Sequence, residues 1–257
     1  MAGRAMGPSF RDLLRGPRPP LGSWIMSGSP TVAEAMACRG FDFLVLDMEH
    51  VPVSVETVLH MARAVACRGV APVVRLPDHD VARLRWMLDA GIDAVMVPMV
   101  DTADQARGLA AHMAYPPEGR RGFAAMLRAN GYGTDGAYFG EARARATLVA
   151  QLETPVALNA LEAVAAVEGV DALFVGPGDI SATTGHLGDP LGEPTLGLIA
   201  DAARRAGAAG LPVGTVVPGA ALVRRMLGEG CTFAAVGSDM GFLAGAAGAA
   251  LGEARDG

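Results

Sequence analysis

Eight short apolar runs recur along the chain, at 21–25, 43–47, 72–75, 94–98, 148–152, 172–176, 212–217 and 233–237. Most are apolar at every position, as expected of parallel strands covered on both faces. Helical patterns fill the intervals. Ser54 is a cap ahead of Val58, Leu59, Ala62 and Val65, with Gly69 closing that helix. Asp80 heads a second helix carrying Leu84, Met87 and Leu88 as far as Gly91, and Asp101-Thr102 heads a third with Ala106, Leu109, Ala110 and Met113 on one face. Eightfold strand–helix alternation predicts an α/β fold, a (β/α)8 barrel, and 257 residues without a linker or composition break suit one such domain spanning 1–257. Residues 1–20 would form an N-terminal extension and 241–257 a C-terminal helix and tail. An open, doubly wound sheet has the same period and is the alternative.

Barrel active sites lie at the C-terminal ends of the strands, which shortens the list of candidates. The run 148–152 leads into Glu153 and the run 172–176 into Pro177-Gly178-Asp179, with Val156, Leu158, Leu161, Val164 and Val167 marking one helical face between them. Two such strands lie side by side or nearly so, with their ends together, so Glu153 and Asp179 are expected on one rim. Two carboxylates suit magnesium, which keeps water or substrate oxygens in its shell, and manganese or cobalt fits the same site. The competing reading makes each carboxylate a cap for the helix that follows. His50 is the one histidine at a strand end, with Asp47 and Glu49 beside it and Asp89 at a helix end, and histidine is the commonest general base. Arg75 ends an apolar run, where a buried guanidinium needs an anionic partner. Gln151 precedes Glu153, and the N–H groups of the Gly176-Pro177-Gly178 turn are placed to hold a carboxylate.

The chemistry is narrowed by an absence. All 21 basic residues are arginine, and a chain without lysine has no side-chain amine for a Schiff base. A carbanion formed here must be stabilised in another way. A net charge of −6 gives no reason to expect nucleic acid or an anionic membrane. Three scattered cysteines make neither a disulfide framework nor a zinc site, no run is long enough for a membrane span, and the basic N-terminus lacks the apolar core of a signal peptide. A cytoplasmic protein is expected.

LVLDMEH, PVVRLP, MLDAGIDAVMVPMV, YPPEGRRG, QLET and GPGDIS follow in this order and spacing. Together they resemble the class II pyruvate-dependent aldolases of the HpcH/HpaI family, from about 21 to about 251. The resemblance implies a (β/α)8 barrel assembled as a homo-hexamer with exchanged C-terminal helices, and a reversible aldol reaction joining pyruvate to an aldehyde. It makes Glu153 and Asp179 ligands of a divalent cation (Mg, Mn or Co), with no Schiff-base lysine and no organic cofactor. Arg75 matches the arginine at the enolate, His50 the general base and Asp89 the acid that raises its basicity, with Asp47 helping to orient it. Gln151, Gly176, Gly178 and Asp179 match substrate-contacting positions, and Trp24 an aromatic residue lining the site. RLPDHD departs from the family's usual turn and brings His79 near the rim without an assigned role. Aldehyde specificity falls to the segment 115–145, to Val216 and to a neighbouring subunit. Other outcomes on the same residues are oxaloacetate decarboxylation, citrate-lyase-like cleavage, or a non-catalytic barrel that binds a keto acid.

Overall fold

The computed structural model describes residues 8–256; the first seven residues of the expected N-terminal extension and the last residue of the tail lie outside them. Eight parallel strands close into a barrel in sequence order, which settles the choice between barrel and open sheet. They are β1 (Leu21–Ile25), β2 (Phe43–Asp47), β3 (Ala71–Arg75), β4 (Ala94–Val97), β5 (Thr147–Leu152), β6 (Ala172–Val175), β7 (Val213–Val217) and β8 (Phe233–Ser238). Ser54, Asp80 and Thr102 each cap the expected helix, their side-chain oxygens accepting from Thr57, from Ala82 and Arg83, and from Gln105.

Alternation along the strands decides what fills the barrel. Phe43, Val45, Val73, Met96, Val149, Phe174 and Phe233 pack together inside, while Leu44, Leu46, Val74, Ala150 and Leu152 face the helices. The same parity carried upward turns Asp47, Arg75 and Gln151 inward above this plug. Side-chain volume is balanced locally: a Cβ at Gly22 would lie 2.5 Å from the Phe43 ring, and one at Gly214 would overlap Phe233. The floor is sealed by a short helix, Phe10–Leu14, whose fully buried Phe10 meets the Phe43 and Phe233 rings edge-on at 5.0 and 5.5 Å.

Three connections differ from the sequence reading. The single helix expected across 156–167 is two, Pro155–Asn159 and Leu161–Ala165, joined at Ala160; Val156 is thereby turned out, 58% exposed, while Leu158, Leu161, Val164 and Val167 stay buried. The segment 115–145 is less irregular than expected, since Tyr138–Arg145 is a helix whose Tyr138 and Ala142 pack against Tyr115 and Ala129 in a small cluster of their own. The C-terminal helix starts earlier, at Asp239, and runs to Asp256. Asp239 anchors it by accepting from the Met26 and Ser27 N–H groups at 2.8 and 3.1 Å, but from Met240 onward it is exposed almost throughout, Phe242, Leu243 and Leu251 included. Among the described residues no helix is long and apolar enough to cross a membrane.

Candidate active site

The β2–β3 register sets Asp47 beside Arg75. The Arg75 Nε and Nη2 donate to the two Asp47 carboxylate oxygens at 2.9 and 2.8 Å, and Nη1 ion-pairs with Glu49 at 2.7 Å. The guanidinium also stacks over Trp24, 5.2 Å from the ring centroid, and Trp24 in turn leans on Phe174. A guanidinium carries five N–H donors; two are hydrogen-bonded to Asp47, and those on Nη1 face Glu49 as an ion pair without a hydrogen bond.

Glu153 is buried, 1% exposed, just beyond β5. Its Oε2 accepts from the Met99 N–H at 3.0 Å and its Oε1 from the Gln151 side-chain amide. It caps nothing: the helix after it is capped by Thr154, whose hydroxyl accepts from Ala157. Burial pushes the Glu153 carboxyl up to about 8; the Met99 N–H opposes this, and the charges of Asp179 and Glu49 add to it. Glu49 is raised too, chiefly by burial and against the pull of Arg75. Asp179, half-buried in the first turn of the helix Pro177–Thr183, makes no capping hydrogen bond, so neither carboxylate is spent on a helix end.

Gly176 is where this arrangement is tightest. A Cβ there would lie 2.5 Å from the Glu153 Oε1 and 3.0 Å from the Gln151 Nε2, whereas a Cβ at Gly178 meets nothing within 4 Å. Gly176→Ala is therefore expected to cost about 1–3 kcal/mol of stability through overpacking and about 10²-fold in turnover through displacement of Glu153, with Gly178→Ala close to wild type. Thermal unfolding and turnover of the two variants side by side test the difference.

The residues fit a divalent cation. Among the described residues no group of three or more His, Cys, Asp or Glu is placed to hold a metal; the protein's share would be the two carboxylates, with water or substrate oxygens completing the shell. A buried carboxylate pressed by two further acids, with Arg75 as the opposing charge, has the charge deficit that a cation relieves. The Gln151 Oε1, buried and without a hydrogen-bond partner among the described residues, adds a free acceptor beside it. Glu153 keeps its proton up to about 8 in the cation-free protein, and a cation must displace it. Cation affinity should thus rise with pH, by about tenfold per unit below 8, and level off above. Calorimetric titration in buffers of different ionisation enthalpy reads that proton; an affinity unchanged between pH 6 and 8 contradicts it.

Other expected neighbours are not brought together. His50 stands at the rim, its side chain 53% exposed and its Nε2 3.8 Å from Glu49. Asp47, with both oxygens on Arg75, shares no hydrogen bond or ion pair with it among the described residues. Asp89 takes Arg121 instead, at 2.7 Å, on a guanidinium that also donates to the Tyr138 hydroxyl; among the described residues no hydrogen bond or ion pair joins Asp89 to His50. Glu49, read from the sequence only as an acid beside His50, belongs to the site through Arg75, and so does Met99, which the sequence did not single out, through Glu153. Glu49 carries a legible signal, since it continues the inward positions 43, 45 and 47; the contact of Met99 is made by its backbone and has none.

Comparison with known proteins gives the family and agrees with the fold. The sequence profile of the family described as HpcH/HpaI aldolase/citrate lyase matches residues 21–246. A 2-dehydro-3,6-dideoxy-6-sulfogluconate aldolase from Pseudomonas putida is 46% identical over 224 residues, 87% of this chain and 88% of that protein. A 5-keto-4-deoxy-D-glucarate aldolase from Salmonella paratyphi A is 39% identical over 232 residues, 90% and 91% of the two chains. The crystal structure of an HpcH/HpaI aldolase/citrate lyase family protein from Burkholderia cenocepacia superposes with a TM-score of 0.90 at 34% identity, covering 95% of this chain and 98% of that one.

Proposed function

Since the chain belongs to the HpcH/HpaI aldolase/citrate lyase family, we propose that it is a class II aldolase that reversibly cleaves a 4-hydroxy-2-oxo acid to pyruvate and an aldehyde. The observation that carries this reading is the buried Glu153 beside Asp179 and Arg75 in a chain without lysine. A divalent cation held by Glu153 and Asp179 would supply Lewis acidity towards the keto and carboxylate oxygens of the substrate.

The protein's own groups do the rest. The C4 hydroxyl gives up its proton to His50, reached through water from the rim. The C3–C4 bond breaks, the aldehyde leaves, and the bonding pair passes to C3 and the C2 oxygen as an enolate. Arg75, its plane fixed by Asp47, Glu49 and Trp24, offers N–H donors not hydrogen-bonded to Asp47 to that oxygen, a contact stronger at the enolate than at the ketone. Protonation at C3 releases pyruvate, and the reverse order makes the bond. Gln151, Gly176 and Gly178 line the pyruvate side, where Gly178 offers its backbone. Val216, half-buried against the interior cluster, lies on the way to the aldehyde side.

The two aldolases above are named for a sulfogluconate and a glucarate, each with a second acidic group at the far end. A substrate of that kind, cleaving to a short anionic aldehyde, is the one to try first. The exposed apolar residues of the C-terminal helix, Met240, Phe242, Leu243 and Leu251, support a homo-oligomer in which that helix lies on a neighbouring copy, with the hexamer as the assembly. The test is pyruvate release over a panel of 4-hydroxy-2-oxo acids with anionic and neutral far ends, run with Mg, Mn or Co. Turnover of some member of the anionic set is expected; pyruvate binding with silence across the panel would leave a keto-acid-binding barrel.

A further inference from the structure

The Pro98–Met99 peptide connects a histidine that the proposed reaction does not use to the proposed cation ligand. Strand β4 ends at Val97, paired with Ala150, and pairing resumes where the Val100 N–H reaches the Gln151 carbonyl at 3.0 Å. Pro98 and Met99 are looped out between these points, as in a bulge that re-aims the backbone. Met99 has φ of 55°, a left-handed conformation that an ordinary side chain adopts only where its surroundings impose it. In that conformation both ends of one peptide unit are taken. Its N–H donates to the Glu153 Oε2 at 3.0 Å, and its carbonyl, on buried Pro98, accepts from the His79 Nε2 at 2.9 Å.

His79 is itself fixed. Its neighbours Asp78 and Asp80 lock the loop, the Asp80 N–H donating to Asp78 at 2.9 Å while the Asp80 carboxylate caps the next helix. The Gln151 amide and the bare Gly176 close on the other carboxylate oxygen. From these contacts we infer that His79 is a positioning residue for Glu153. By holding the Pro98 carbonyl it keeps the Met99 N–H on Oε2, and so sets the direction in which the carboxylate presents itself. The inference rests on the reading of Glu153 as a cation ligand. The Met99 N–H, hydrogen-bonded to the proposed ligand itself, is a partner of the kind that carries about 10–100-fold in affinity or activity, and His79 acts through it.

The test uses the full-length protein and Mn2+ as probe, with free Mn2+ read by electron paramagnetic resonance and turnover and thermal midpoint measured in parallel. His79→Ala is expected to weaken Mn2+ binding about 10–100-fold and to lower kcat, with a thermal midpoint near wild type. His79→Gln, whose amide can still donate to Pro98, is expected to recover most of both. Mn2+ binding by His79→Ala at wild-type strength overturns the inference, and so does equal weakening in the two variants. If the wild-type protein itself does not bind Mn2+, the cation reading falls and this inference with it; wild-type binding alongside an unaffected His79→Ala removes only the role of His79.

Discussion

Glu153→Gln is expected to abolish aldol cleavage while leaving the cation-free fold as stable as wild type, or more so. The two effects have one origin. A carboxylate 1% exposed, with its pKa raised to about 8, is a group the fold tolerates rather than one that holds it together. The amide at 153 keeps an acceptor for the Met99 N–H, and Gln151 can turn to offer its Oε1, which lacks a hydrogen-bond partner among the described residues. With the charge goes half of the protein's share of the cation, and several kcal/mol of electrostatic stabilisation with it, or roughly 10³-fold or more in kcat. Asp179→Asn should lose activity on the same scale. Thermal unfolding in chelator, set beside turnover in excess Mg or Mn, separates the two effects. A Glu153→Gln protein with wild-type kcat would remove the cation from the mechanism.

Arg75 is the opposite case, because it serves both fold and chemistry. Asp47 is fully buried and Glu49 half-buried, and Arg75 is a cation that faces them both. Arg75→Met should cost about 3–5 kcal/mol, the usual penalty for leaving buried charge uncompensated. Arg75→Lys keeps a charge but not the fork that grips both Asp47 oxygens, nor the planar stack on Trp24. It is expected to fold, with kcat down about 10²–10³-fold, the range for loss of one oxyanion donor. Because the contact is made to the enolate, kcat should fall much more than KM rises. Equal kcat in wild type and Arg75→Lys would assign Arg75 to the fold alone.

The barrel was legible because its strands are buried on both faces. Val73 and Val74 both need apolar surroundings, one inside and one towards the helices, so the run stays apolar and its ends are sharp. The strand-end residues could be found for the same reason: a charge such as Asp47, Arg75 or Glu153 at the end of an apolar run stands out. The sealing helix at Phe10 was hidden because one aromatic in five residues makes no period. Tyr138–Arg145 was hidden because its surface is alanine and arginine, with little contrast between faces. The break at Ala160 divides an apolar pattern that otherwise continues unbroken, and the pattern did not reveal it.

Within the site, residue type carried the charges but not their pairing. Asp47 reads equally well as a partner of His50 or of Arg75, and the β2–β3 register decides for Arg75. Asp89 reads as an acid near the rim, and its partner Arg121 comes from a segment 32 residues away. Met99 contributes a backbone N–H at positive φ, which no side chain announces.

The central claim is tested most directly by removing and restoring the cation. Protein stripped with a chelator is assayed for pyruvate release from a cleaved 4-hydroxy-2-oxo acid, then assayed again after addition of Mg, Mn or Co, with borohydride present in a parallel sample. Release should stop in chelator, return on adding the metal, and leave no pyruvate-derived mass on the protein. Undiminished release in chelator, or a covalent adduct of the mass of reduced pyruvate, would contradict a cation-dependent enolate mechanism in this lysine-free barrel.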